Sequence, residues 1–163
     1  MTSARDDLSR AAVAGYRAQR SLGVAPALSE ALRLAPGRAV LVGGGAVEVY
    51  TRSAFTTHDL DFIAATTPAL EKRLADLGFE RDRRHWVHAD LALAVEFPGT
   101  VLAPARSTTM QVGNRKLQII AVEDLIVDRL ASWKHWGWDP DGAAAVLLLA
   151  LHEDLDHHRL AGS

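Results

Sequence analysis

Thr57-His58-Asp59-Leu60-Asp61-Phe62-Ile63 sets two carboxylates one residue apart inside an apolar run. Successive side chains of a β-strand point to opposite faces, so Asp59, Asp61 and Ile63 share one face while Leu60, Phe62 and Ala64 share the other. The two acids then stand about 6–7 Å apart at Cα, and each disfavours the charged form of the other unless a cation intervenes. Hard oxygen ligands on a rigid element suit Mg²⁺, which is usually held by one or two carboxylates, with water and phosphate completing its shell. An edge strand whose solvent face happens to carry two aspartates is the plain alternative.

Upstream, Arg38-Ala39-Val40-Leu41-Val42 reads as a buried strand, and Gly43-Gly44-Gly45 follows it just before a helical stretch, Ala46 to Tyr50. Glycine lets backbone approach a ligand closely, and the amides at a helix start favour an anion, so a phosphate cradle precedes the paired acids. For three glycines taken alone, an ordinary tight strand-to-helix turn is the better explanation. Downstream, Asp90 to Gly99 reads as a strand bounded by Pro98-Gly99 and carrying Glu96. Adjacent strands lie about 4.8 Å apart, which lets Glu96 complete a three-acid set with Asp59 and Asp61. Asp90 competes for that role from the other end of the run, roughly 20 Å away.

Gly43-Gly44 after a strand, then Arg52, Thr57 and Asp59-Leu60-Asp61, resemble the nucleotidyltransferase superfamily. That superfamily includes DNA polymerase β, the aminoglycoside and lincosamide nucleotidyltransferases, and abortive-infection nucleotidyltransferase toxins. The likeness covers residues 38–135. It implies an α/β (α+β) fold with a small mixed β-sheet flanked by helices, and transfer of a nucleoside monophosphate from an NTP to an acceptor hydroxyl. Asp59, Asp61 and Glu96 would be catalytic and would hold Mg²⁺ or Mn²⁺, with Glu96 activating the acceptor. Gly43, Gly44, Thr57 and Lys134 would contact the nucleotide, assisted by Arg129.

Three departures accompany the resemblance: Gly45 stands where a serine is usual, Glu96 replaces the commoner aspartate, and Gly137-Trp138-Asp139 lacks the arginine-aspartate pair that toxins carry after the lysine. A tRNA end, a protein hydroxyl or a small antibiotic-like molecule all satisfy the acceptor chemistry. Two other readings stand beside it: an inactive nucleotidyltransferase-like binding protein or toxin-antitoxin partner, and a small α/β binding module with an accidental acid pair.

The 163 residues, 48% hydrophobic and 23% charged, fit one domain with a real core. Residues 1–36 are expected to supply N-terminal helices, 38–120 the catalytic sheet and 122–163 C-terminal helices. A formal charge of −2 gives no global attraction to nucleic acid, and the absence of cysteine removes disulfides and thiolate metal sites. No stretch reaches the apolar length of a membrane span, so a cytoplasmic protein is expected, as a homo-oligomer or with a cognate partner as open arrangements.

Finer elements follow. Ser3 to Arg20 reads as one amphipathic helix, Gly23 to Pro26 as a turn, and Ala27 to Leu34 as a second helix stopped by Pro36-Gly37. Ala69 to Leu77 is a helix ended by Gly78, and the charged run 79–84 is a solvated turn or edge strand. Val101 to Thr109 is a connection, Gly113-Asn114 a hairpin turn, and Glu123-Asp124 a helix start. Trp133, Trp136 and Trp138 are expected in the core or in helix docking, with stacking on a base or closing a substrate pocket as the alternative, and Asp139-Pro140 opens an apolar helix. His152, His157 and His158 belong to a polar tail.

Overall fold

The apolar alternation around the two acids decides the layering. A computed structural model describes residues 2–13, 20–33 and 38–161. Within them the elements run α1 (Ala4–Val13), α2 (Arg20–Ala31), β1 (Val40–Val42), α3 (Gly43–Tyr50), β2 (Asp59–Ile63), α4 (Pro68–Leu77), β3 (Glu80–Asp82), β4 (His85–His88), β5 (Leu93–Gly99), β6 (Ser107–Val112), β7 (Arg115–Ile120), α5 (Val122–Trp136), α6 (Asp139–Leu151) and α7 (His157–Leu160). The strands form one mixed sheet in the order β3-β4-β5-β2-β1-β7-β6. β2 runs antiparallel to β1 and parallel to β5, while β1 runs parallel to β7. The expected mixed sheet flanked by helices is therefore present, with seven strands among the described residues.

On β2, Leu60 and Phe62 are buried while Asp59 is exposed and Asp61 and Ile63 are half-buried. The buried side chains join Leu41, Val95, Leu117 and Ile119 from neighbouring strands and Leu28, Leu32, Leu70 and Leu74 from α2, its C-terminal extension and α4. The acids consequently line the opposite face.

β1 is only three residues long and pairs with β7 at Leu41 and Ile119. The rest of that edge of β7 would present bare amides, and α2 supplies the acceptors: Gln118 N–H donates to Ser29 Oγ at 3.2 Å and Lys116 N–H to Glu30 Oε1 at 3.2 Å. Arg115 adds an ion pair to Glu30 at 2.6 Å. A helix thus completes a ladder that the short strand leaves open.

α4 begins and ends as expected, with Thr67 Oγ1 accepting from Leu70 N–H and Gly78 in the left-handed conformation. Several expectations need correction. Gly23 and Pro26 lie inside α2, so the turn placed there does not form; the missing proline amide costs one intrahelical bond in a helix held by burial of Val24, Ala25, Ala27 and Leu28. The expected continuation of the first helix over 14–19, and the Pro36-Gly37 stop, fall outside the described residues. β5 begins at Leu93, so Asp90 sits in the preceding turn and not on that strand. The charged run does form an edge strand, β3, as one of its two expected readings has it, and turns into β4. β6 starts at Ser107, inside the stretch expected to be irregular.

The C-terminal tail is not a free polar segment. Arg159 pairs with Asp124 at 2.6 Å and lies 3.7 Å from Glu123, and the Asp156 amide donates to Glu123, which docks α7 on the start of α5. His152 Nδ1–H donates to Leu148 O at 2.8 Å and its ring meets that of Tyr50 edge-on, while His157 and His158 are exposed. Among the described residues no helix is long and apolar enough to cross a membrane.

Gly45 explains one departure from the nucleotidyltransferase pattern. A Cβ at this position would lie 2.9 Å from Leu60 Cδ2 and 3.1 Å from Leu41 Cδ1, both in the core. Gly45→Ser should lower stability by about 1–3 kcal/mol through overpacking and a buried hydroxyl. Urea denaturation should register the loss as a lower midpoint with an unchanged slope.

Candidate active site

Sheet register brings the expected acids together. Asp61 pairs directly with Glu96 across the parallel β2–β5 ladder, and Glu96 pairs with His85 across β5–β4, so Val42, Asp61, Glu96 and His85 form one row across four strands. Asp59 lies two residues back on the same face of β2. Beyond Asp61 the β2–β5 register shifts, so that Ile63 pairs with Gly99. Such irregularities re-aim side chains and break regular pairing.

The glycines close the other side of the acids. Gly43 takes φ +62°, which a side chain rarely tolerates, and a Cβ there would lie 2.8 Å from Asp61 Oδ2. Bare backbone is therefore what lets the start of α3 abut the carboxylate. Val42, at the N-cap, has no side-chain oxygen and makes no side-chain cap bond. Gly44 packs beneath Thr57, whose Oγ1 would be 3.1 Å from a Cβ at that position.

Thr57 is held at both ends. Its amide donates to Glu48 Oε2 at 3.1 Å and its hydroxyl donates to the Asp59 carbonyl at 3.1 Å. Glu48 itself is buried on α3 and accepts the Ser21 hydroxyl at 2.7 Å. The loop between α3 and β2 also holds Arg52 and Ser53 at φ +49° and +68°, conformations that cost energy away from glycine. Glu48, which the sequence reading passed over as an ordinary helical residue, thus ties α2, α3 and this loop to the start of β2. A glutamate in an otherwise apolar helical face, Ala46-Val47-Glu48-Val49, is the signal that could have marked it.

A cleft of about 400 Å³ opens in front of Asp61, bounded by Val42, Gly43, Ile63, Leu102 and Arg129 among others. Arg129, on α5, is the cation at this cleft; it is bound to Asp128 at 2.6 Å and Asp141 at 3.0 Å. Lys134 lies one turn further along α5, exposed beside Leu130 and Trp133, and borders a different hollow. Of the expected site residues, Gly43 and Asp61 line this cleft; Asp59 and Glu96 neighbour Asp61 on the sheet, Gly44 and Thr57 pack together beside it, and Lys134 lies outside it.

Electrostatics set Asp61 apart. Burial first, then the neighbouring Glu96 and Asp59, hold its carboxyl above the ordinary carboxylate range, against weaker opposing effects of Arg129 and His85. Glu96 forms an ion pair with Arg84 Nε at 3.3 Å and lies 3.1 Å from His85 Nε2. Among the described residues no three histidine, cysteine, aspartate or glutamate side chains stand as a ready cation cluster. The oxygen donors of Asp59 and Asp61 nevertheless fit Mg²⁺, for which one or two carboxylates suffice when substrate phosphate supplies further oxygens. None of the three tryptophans is in the core: Trp136 and Trp138 are open to solvent, while Trp133, also exposed, docks on α6 at Gly142, as one of the two expected roles has it.

Two outcomes follow. A carboxyl whose pKa is raised in the fold favours the native state below its unfolded pKa, and that contribution is lost as pH rises through the raised value. Asp61→Asn should therefore raise the melting temperature of the ligand-free protein near pH 7, with the gain shrinking towards about pH 3. Glu48→Leu, which removes both acceptors, should cost about 1–3 kcal/mol and speed hydrogen exchange at the Thr57 amide, whereas Glu48→Gln should retain most of that protection.

Comparison with protein-family models, with curated proteins and with solved structures gives no match in any of the three.

Proposed function

We propose that this protein transfers a nucleoside monophosphate from an NTP to an acceptor hydroxyl in a reaction that depends on a divalent cation. The observation that carries the reading is the setting of Asp61, in register with Glu96 on one side and against the bare backbone of Gly43 on the other. Its charged form is disfavoured by burial and by two acidic neighbours, the condition that a bound cation relieves.

In this reading Asp59 and Asp61 hold Mg²⁺ or Mn²⁺, whose charge, when bound, offsets that on the phosphate oxygens. Backbone at Gly43 and Gly44 receives phosphate at the start of α3, where side chains would obstruct it. Thr57, pinned by Glu48, keeps Asp59 in place from behind. Glu96 accepts the proton of the acceptor hydroxyl as its oxygen bonds to the α-phosphorus and the bond to pyrophosphate breaks. Arg129 supplies positive charge at the cleft rim. The acceptor class stays open among a tRNA end, a protein hydroxyl and a small molecule.

One observation favours a second reading, in which the site binds nucleotide without turnover: Glu96 is engaged by Arg84 and His85. Titration of each NTP in the presence of Mg²⁺ or Mn²⁺ tests both. The catalytic reading expects cation-dependent binding that the Asp59→Asn, Asp61→Asn double variant loses, and transfer that Glu96→Gln lowers by at least ~10²-fold, the scale of losing one group specific to the transition state. Cation-dependent binding with no transfer to any acceptor supports the second reading, and no binding to the wild type defeats both.

A further inference from the structure

The hairpin of α5 and α6 leaves a large apolar surface uncovered. Trp136 is 83% exposed, Val146 64%, Trp138 63% and Trp133 47%, with Val127, Leu130 and Leu149 also exposed. These positions are contiguous. Trp133 lies flat on Gly142, where a Cβ would come within 2.9 Å of the indole, and the absence of a side chain there seats the ring on α6. From that contact the apolar positions continue along the two packed helices in opposite chain directions at helical spacing, Leu130 and Val127 along α5 and Val146 and Leu149 along α6. Trp136 and Trp138 crown the turn between them.

We propose that this surface is a two-fold interface on which a second copy of the same chain docks. Area is the first argument. Against the roughly 150–250 Å² that a large aromatic can bury, the exposed fractions of the three indoles leave about 300–500 Å² in water. The aliphatic side chains add on the order of 100–200 Å². Two such faces would cover about 800–1,400 Å² of apolar surface before any polar rim is counted, against the about 1,200–2,000 Å² of a stable interface. Tryptophan at the centre of such a patch is the residue type that most often dominates binding.

Charge is the second argument, and it selects a second copy over an unlike partner. Lys134 and Asp139 flank the tryptophans, both are exposed, and among the described residues neither takes part in an ion pair. In a two-fold interface residue i of one copy meets residue j of the other and the reverse, so one chain that carries both charges provides both pairs itself. The cleft containing Asp61 is lined from α5 by Asp124, Asp128 and Arg129, not by the apolar residues of this surface.

Sedimentation velocity on the full chain over roughly 1–100 µM, a range that interfaces of this size span, should show a monomer–dimer equilibrium. Trp136→Ser combined with Trp138→Ser should weaken it by at least ~10-fold, as expected for hot-spot residues. Lys134→Glu and Asp139→Lys, both at exposed positions, should each weaken it about 2- to 10-fold because two-fold symmetry counts each pair twice, and the double charge swap should restore it. If the tryptophan variant fails to fold, the charge swaps decide. A wild type that remains monomeric throughout, including one that instead captures a different macromolecule on this face, overturns the proposal. So does a dimer that neither the tryptophan nor the charge variants weaken.

Discussion

The two-residue repeat of β2 is the constraint on which the cleft depends. Leu60 and Phe62 must enter the core, and they are buried there almost completely. Their commitment leaves Asp59 and Asp61 on the opposite face. A slip of one residue would send both carboxylates into an apolar interior, at a cost of several kcal/mol for each unpaired charge. Register is therefore enforced by the hydrophobic side of the strand, and the acidic side inherits its position. The pairing of Asp61 with Glu96 follows from the same registration carried across to β5.

Around that strand the molecule accepts local costs. Asp61 is held where its charge is disfavoured, Arg52 and Ser53 occupy left-handed backbone, and Glu48 is buried with a carboxylate that needs Ser21 and Thr57 to satisfy it. Clusters of unfavourable features of this kind are stable only when the surrounding structure fixes them from several sides. Here α2, α3 and the loop before β2 converge on one buried side chain, Glu48, and the core beneath them is continuous with Leu28, Leu41 and Phe62.

Much of this was legible in the chain itself. The alternation Asp59-Leu60-Asp61-Phe62 announced both strand and orientation, Thr67-Pro68 and Gly78 bounded a helix, and Gly113-Asn114 marked a hairpin. What escaped depended on long-range partners. Pro26 ordinarily interrupts a helix, yet burial of the residues around it carries α2 through. β4, four residues with no regular alternation, gains strand character from pairing between β3 and β5. The role of Glu48 depends on Ser21, 27 residues away, and no local pattern encodes that distance. Trp136 and Trp138 illustrate the opposite failure: size and apolarity suggested the core or helix docking, while the turn between α5 and α6 leaves them in solvent.

The position of Arg84 and His85 has an energetic corollary. Both belong to the β3–β4 hairpin, whose outer strand is exposed along its whole length and forms the last member of the sheet. The partners that restrain Glu96 thus ride on a peripheral unit, while Asp61 is anchored in the central one. Elements with few buried contacts open at a small fraction of the global unfolding free energy. Fraying of this margin would release one carboxylate of the trio and leave the others in place, so the thermodynamic hold on Glu96 is separate from the hold on the fold.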